Sequence, residues 1–254
     1  MRWFSRHSYH VWQRNRDVYL ALAKSEVPGT IAEPLLVLLA MGFGLGTYVT
    51  GIGDQEYIEF IAPGIIASYG MFSACFECTY GAFVRMDFQK TYDAIVATPL
   101  SVEDLVAGEI FWGATRGLIT TIVVLIIAAI FGLVDTPLAL LSLPMGLLAG
   151  FMFASIAYTF TAIAPAISTF NYFFTLFITP MFFFSGVFFP LDSFPKIVQT
   201  LSWIAPLTPV SRITRALLQG DLEWSLLAAL AEVIAISIVF FYLAMVLMRR
   251  RLFK

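Results

Sequence analysis

Five ionisable side chains interrupt otherwise apolar stretches of this chain, namely Glu33, Glu77, Glu109, Arg116 and Glu232. Charged groups in apolar surroundings are costly, so they mark ion pairs, proton paths or substrate sites. Counted from the charged residues that flank each stretch, at 1.5 Å per helical residue, Glu77 and Arg116 lie at a matching depth of roughly 10–12 Å. Glu33 lies at a similar level. We therefore predict that Arg116 pairs with Glu77 or Glu33, either as a purely structural ion pair between helices or with a functional role.

The residue types that most catalytic sites require are missing from these stretches. Both histidines, His7 and His10, lie near the start of the chain, so no histidine dyad or metal cluster can form beside the buried charges. Cys75 and Cys78 fall within an apolar run, where small buried thiols are favoured over a redox pair. The phosphate-binding pattern GxxxxGK[ST] does not occur. The sequence thus predicts no catalytic residue, no metal ligand and no nucleotide site in this chain.

The composition indicates the class of protein that holds these charges. Of 254 residues, 59% are hydrophobic and 13% are charged, whereas a soluble domain carries about 25% charged residues. A helix needs about 20 apolar residues to cross a bilayer. We predict an all-α integral membrane protein with six spans, at 30–49, 60–83, 108–133, 138–163, 171–190 and 225–248. A net charge of -2 and the lack of a long basic tract give no indication of nucleic-acid binding.

The positions of lysine and arginine indicate the orientation of these spans. Five bases lie within residues 1–24 and four within residues 249–254, while the first loop contains three acids and no base. Short cytoplasmic segments are the ones enriched in bases, and an even number of spans returns the chain to the same side. Both termini and the loop at 84–107 are therefore predicted to be cytoplasmic, and 191–224 to lie outside.

Two further segments are predicted to lie at the membrane without crossing it. Residues 3–24 place apolar and aromatic side chains at roughly helical spacing among arginines, which is typical of an amphipathic helix along the cytoplasmic headgroups. Four prolines lie at Pro190 and within 191–220, too many for a continuous span. Pro209 marks a helix start and Gly220 a helix stop. We predict that 191–220 forms two short re-entrant helices on the outer side.

A polar loop between the second and third spans is predicted to carry an ordered helix. Pro99 prevents helix continuity across the residue before it. Ser101 and Asp104 match a capping box, so the third span starts near Val102. Residues 87–97 then form a short amphipathic helix, apolar on one side and charged on the other. Its mixed charge favours a protein partner over a helix that merely rests on anionic headgroups.

Aromatic residues crowd the fifth span and its exit, in the sequence FNYFFTLFITPMFFFSGVFF. Such residues are typical of lipid-facing bulk and of anchors at the membrane interface. The alternative is a path for a ligand with a long acyl chain and a sugar or polar head, because aromatic rings combine apolar contact with flat faces. The candidate path residues are Phe170, Tyr172, Phe173, Phe174, Phe177, Phe182, Phe183 and Phe184.

Several segments resemble a known family, in order and along nearly the whole chain. They include EPLLVLLAMGFGLG, YIEFIAPGIIA, FECTYGAFVRMDFQKTYDAIVATPLSVEDLVAGEIFWGATRG, ITPMFFFSGVFFPLDSFP and PLTPVSRITRALLQG. The chain resembles an ABC-2 type transporter permease, and within that family the permeases of the nodulation lipo-oligosaccharide exporters.

The resemblance implies a homodimer of six-helix subunits in the bacterial inner membrane, among membrane lipid. Two copies of a separate ATP-binding cassette subunit would hold ATP and magnesium, with no cofactor on this chain. The substrate would be amphiphilic, a lipo-oligosaccharide in the matching subfamily. Residues 92–101 would dock on the ATPase, and Glu109 would stand at a hinge leading into the third span. The residues implied in ATPase coupling are Phe88, Tyr92, Asp93, Ile95, Thr98, Pro99, Leu100, Ser101, Glu103, Asp104 and Glu109.

Other functions stay open at this point. The same scaffold also exports drugs and polysaccharides. An ion-coupled secondary transporter would show broken helices repeated in both halves of the chain. Pro34 and Pro180 are only a weak indication of such a repeat. A membrane enzyme that acts on lipids would need clustered acids or histidines at one depth, which only Glu33, Glu77 and Arg116 approach.

Overall fold

The computed structural model describes residues 5–49, 52 and 55–253. The chain is 83% helical, and the described residues contain no strand. Six of their helices are long and apolar enough to cross a membrane, which confirms the predicted number of spans. The helices are α1 (Ser8–Leu45), α2 (Tyr57–Phe88), α3 (Thr91–Val96), α4 (Val102–Ile130), α5 (Pro137–Ile163), α6 (Ile167–Phe184), α7 (Lys196–Ile204), α8 (Leu207–Gln219) and α9 (Ser225–Leu252).

The first helix differs from the prediction. The sequence suggested a separate amphipathic element at 3–24, whose first two residues lie outside the described part of the chain. The structure instead joins this element to the first span as the single helix α1, in spite of Pro28 and Pro34. Helices that are packed in a membrane protein tolerate proline because neighbouring groups re-satisfy the freed backbone. The placement of the first turns along a membrane surface stays a prediction.

Small residues let the central helices approach closely. Helix α2 is the most deeply buried of the long helices and packs against α4, α5 and α8. A Cβ atom built on Gly150 would lie 2.9 Å from the carbonyl oxygen of Ala114, and one on Gly117 would lie 3.0 Å from Cα of Gly150. Close backbone packing of this kind favours helix association in a membrane, where lipid and side chains are both apolar.

Several contacts gather both ends of the chain near α3. The backbone N–H of Ser5 donates to Asp104 at 2.5 Å, which ties the start of the chain to the start of α4. At the other terminus, Arg249 pairs with Glu103 at 3.0 Å, and Arg251 donates to the carbonyl oxygens at the end of α5. We call this the α3 end of the molecule. The two termini therefore lie on one side of the bundle, as an even number of spans requires.

The opposite end holds α7 and α8, two short helices within the predicted segment 191–220. Helix α8 ends at Gly220, whose φ of 84° is the left-handed conformation that favours glycine at a helix stop. Arg215 donates to the carbonyl oxygens of Phe60 and Gly186, which joins α8 to the start of α2 and to the exit from α6. Re-entry of these helices into a membrane stays a prediction.

The close helix contacts lead to a first expected result. Replacing Gly150→Leu should lower the melting temperature of the purified protein by roughly 2–12 °C, because the side chain would overlap the α4 backbone. The matched control is Gly44→Leu in α1, where an added Cβ meets no atom within 4 Å. Equal losses in the two variants would contradict the role of this contact.

Candidate functional site

A chain of buried ion pairs runs across the bundle near its α3 end. Arg85, near the end of α2, donates to Glu77 at 2.7 Å and to Glu109 of α4 at 2.5 Å. The side chain of Glu109 is 0% exposed. A buried carboxylate needs a charged partner and hydrogen bonds to remain ionised at acceptable cost. Arg85 supplies this partner from the neighbouring helix.

The chain of ion pairs continues from Glu77 to Arg116 and on to α1. Nε of Arg116 lies 3.5 Å from Oε2 of Glu77, and Nη2 donates to Glu26 at 3.0 Å. The guanidinium also lies 4.3 Å from the ring centroid of Tyr19. We call Glu26, Arg116, Glu77, Arg85 and Glu109 the ion chain. It carries three acids and two bases, and it links α1, α4 and α2.

The predicted pairing is thus found for one of its two candidates. Arg116 and Glu77 lie together, whereas Glu33 makes no ion pair with any described residue. The second acid that pairs with Arg116 is Glu26, because the continuous α1 brings Glu26 beside α4. Sequence reasoning missed Glu26 and Arg85. It placed Arg85 in the cytoplasmic loop, and a separation of eight residues from Glu77 does not by itself indicate contact in a regular helix.

The backbone of α2 explains how residues eight apart meet. In a regular α-helix, such residues lie about 80° apart around the axis. Helix α2 contains two wider turns of π type, at Glu77–Gly81 and Val84–Phe88. These turns hold more residues each, so they reduce the angle and bring Arg85 over Glu77. π turns of this kind are frequent at functional sites.

A sharp joint connects α2 to α3. Lys90 has a φ of 51°, a left-handed conformation that is uncommon for a residue with a side chain. Two residues later, Tyr92 is fully buried, and its hydroxyl accepts a hydrogen bond from Tyr158 of α5 at 3.1 Å. Burial raises the pKa of Tyr92 well above its ordinary value, so the hydroxyl stays neutral. This buried side chain anchors α3 against the bundle.

The residues that the resemblance implied in ATPase coupling fall into two groups. Phe88, Asp93, Thr98 and Pro99 are exposed, and Ile95, Leu100 and Ser101 are partly so. By contrast, Tyr92, Glu103, Asp104 and Glu109 are buried and contact this chain itself. The structure shows contacts within the subunit for these four side chains. Their part in ATPase coupling, which for Glu109 is the predicted hinge, stays a prediction.

The start of α4 is held by its own capping residues. The Ser101 hydroxyl accepts from the backbone N–H of Asp104, and the Asp104 carboxylate accepts from the backbone N–H of Ser101 and from Ser5. This reciprocal arrangement is the predicted capping box. Carboxylates at this position also interact favourably with the positive end of the helix dipole.

An open cavity of about 600 Å³ lies beside the ion chain, between α1, α2 and α4. Glu26, Glu77 and Arg116 form part of its wall, and so does Glu33. Apolar rings complete the wall, including Phe72 and Phe76. Within residues 5–49, 52 and 55–253, no cluster of three histidine, cysteine or acidic side chains could hold a metal ion.

The candidate path aromatics do not share one environment. Phe170 and Phe173 are buried, Phe174 and Phe182 are partly buried, and the other four are exposed: Tyr172, Phe177, Phe183 and Phe184. Phe174 stacks on Phe76 of α2, with ring centroids 4.3 Å apart. A second cavity, of about 470 Å³ and mostly apolar, lies between α6 and α7. A role for these rings as a substrate path stays a prediction.

Comparison with known proteins assigns this chain to a family. Residues 9–218 match the family described as ABC-2 type transporter. The chain belongs to the ABC-2 type transporter family. Members of this family are transport subunits that work with an ATP-binding subunit, so this chain is a multi-pass membrane protein of that kind.

Named relatives agree with this assignment. Nodulation protein J of Sinorhizobium fredii strain NGR234 is 34% identical over 242 residues, covering 95% of this chain and 92% of the relative. Nodulation protein J of Rhizobium meliloti strain 1021 has the same identity and coverage. The inner membrane transport permease YadH of Escherichia coli K12 is 24% identical over 204 residues, covering 78% of this chain and 77% of the relative.

Removing one member of the ion chain should show how much the chain contributes to the stability of the fold. Arg85→Gln should lower the free energy of unfolding by about 3–5 kcal/mol, because Glu109 is left buried without a partner. Adding Glu109→Gln should recover part of the loss, as measured by unfolding in mixed micelles. Arg16→Gln is the control, since it breaks a solvent-exposed pair, which contributes little to stability. Strictly additive losses for Arg85 and Glu109 would contradict their coupling.

Proposed function

We propose that this chain is the permease of an ATP-driven exporter in the bacterial inner membrane, with both termini in the cytoplasm. It would act as a homodimer with two copies of an ATP-binding cassette subunit. The cargo would be an amphiphilic glycolipid, with a lipo-oligosaccharide as the first candidate. Family membership and the similarity to Nodulation protein J support this proposal, and the segments quoted above suggest the substrate class.

The observation that carries the proposal is the arrangement of α3. This short helix combines an inward anchor, the buried Tyr92, with an outward face that includes the exposed Asp93. Beside it, Phe88 at the end of α2 is 64% exposed and adds an apolar ring to the charged surface. An exposed apolar and charged face on a firmly anchored helix suits a protein partner.

The ion chain suggests how a push on α3 would travel. Arg85 lies shortly before α3 on the same segment of chain, and it holds Glu109 of α4. A displacement of α3 would therefore shift Arg85 relative to both of its acids. Because Glu77 also contacts Arg116, the shift would reach the wall of the 600 Å³ cavity and α1. Chains of packed side chains with alternative partners are the physical means by which distant sites couple.

In this mechanism the chain supplies no chemistry of its own. ATP and magnesium would be held by the partner subunit, since the sequence contains no phosphate-binding pattern. Closure of two ATP-binding subunits would press on two copies of α3. The permease would convert this motion into alternating access for the cargo. The ATP-binding subunits would favour one of two permease conformations because they bind that conformation more tightly.

Co-purification with the ATP-binding subunit encoded beside this chain is the direct test. We expect a complex with two copies of each subunit and measurable ATP turnover. Asp93→Lys should weaken binding of the ATPase subunit at least fivefold while leaving membrane insertion intact, because it reverses an exposed charge on the proposed docking face. Asp192→Lys is the matched control, being an exposed acid at the opposite end of the molecule. Equal binding of both variants would contradict docking at α3.

A second variant separates docking from transmission. Tyr92→Ala should retain most of the ATPase binding, because the exposed face of α3 is unchanged. It should reduce export of a candidate lipo-oligosaccharide by at least tenfold relative to ATP turnover, because the anchor between α3 and α5 is lost. Proportional loss of both activities would show instead that Tyr92 only supports folding. The control is Tyr48→Ala, which removes an exposed aromatic side chain just beyond the end of α1.

A further inference from the structure

Glu33 is the one carboxylate of the 600 Å³ cavity whose charge is not neutralised by a described residue. The other two carboxylates of its wall, Glu26 and Glu77, share Arg116, and Glu77 also accepts from Arg85. Glu33 lies in the apolar span of α1, has an exposed side chain that lines the cavity, and forms no ion pair with either of these bases. A lone charge at such a position marks a functional site.

The hydroxyl groups of the cavity add a second, independent feature. Ser25 donates its proton to the carbonyl oxygen of Leu22, Thr30 donates to that of Glu26, and Ser73 donates to that of Arg116. Each hydroxyl oxygen keeps lone pairs but has no proton left to give. At these three positions the wall therefore offers acceptors, while Nη2 of Arg116 is directed to Glu26. Three carboxylates and one arginine line the cavity, so its wall disfavours an anionic ligand.

The apolar part of the wall completes the description of the ligand. Tyr69, Phe72 and Phe76 line the same cavity, and aromatic faces attract cations as well as apolar chains. A primary ammonium group carries three donors, no acceptor and a positive charge. It matches an unpaired carboxylate with acceptor hydroxyls nearby, and the rings accommodate an attached apolar chain.

We propose that this cavity binds the ammonium headgroup of an amphiphile, with Glu33 as the counter-ion. The inference rests on the export function proposed above and narrows its substrate class to cargo that carries an amine. The same chemistry is found in the headgroup of phosphatidylethanolamine, so a bilayer lipid is a second source of the ligand.

The test measures binding of decylamine to the full-length chain, purified alone in an uncharged detergent at pH 7, where the amine is protonated. Decyl sulfate, with the same chain and the opposite charge, is the reference probe. We expect decylamine to bind at least tenfold more tightly than decyl sulfate. Glu33→Gln should raise the Kd for decylamine roughly tenfold to a hundredfold, as expected for loss of one charge-assisted contact. Glu232→Gln, which removes a span carboxylate outside the cavity, should leave the Kd unchanged.

Charge reversal keeps the test decisive if Glu33→Gln perturbs folding. Glu33→Lys should invert the preference, so that decyl sulfate binds more tightly than decylamine. Equal binding of the two probes to the unmodified chain, or an unchanged Kd in Glu33→Gln, would overturn the proposal.

Micelles doped with phosphatidylethanolamine or with phosphatidylglycerol distinguish the two sources. Displacement of decylamine by the first lipid alone assigns the site to membrane lipid, and displacement by neither assigns it to cargo. Because the ATP-binding subunit is not present in this assay, failure of ATP coupling and failure of amine binding are separate results.

Discussion

The burial of Glu109 beside Arg85 is the constraint on which the α3 end depends. A carboxylate with 0% exposure inside a helical bundle cannot remain charged without a close cation. That cation comes from α2, so α2 must continue to Phe88 and must turn through two π segments to direct Arg85 inward. The chain then has only two residues in which to reverse, which accounts for the left-handed conformation of Lys90 and the immediate start of α3.

The same end of the molecule concentrates charge for a second reason. The first turn of α4 carries two buried acids, and each is held by one terminus of the chain: Ser5 donates to Asp104, and Arg249 pairs with Glu103. Both termini, α3 and the ion chain therefore form one connected structure. A partner that moves α3 would act on all of it, whereas the glycine contacts between α4 and α5 hold the rest of the bundle together.

The cavity differs from the ion chain in how its charges are compensated. Along the ion chain every acid has a base within 3.5 Å, so the network is suited to holding and transmitting a conformation. In the cavity, Glu33 stands apart, and three of the surrounding hydroxyls already donate to backbone carbonyls. The charges of the ion chain are compensated within the protein, whereas for Glu33 we propose a ligand as the counter-charge.

The sequence by itself determined the features that depend on local composition and on backbone preference. These are the six apolar spans, the capping box at Ser101, the stop at Gly220 and the matching depth of Glu77 and Arg116. Only the tertiary structure decided that Arg85 points inward, that α1 is continuous and brings Glu26 to Arg116, and that Tyr92 is buried against α5. The reason is that depth along a helix follows from counting residues. The direction of a side chain around the helix depends on π turns, and its partners depend on which helices approach it. Residue spacing alone sets neither of these.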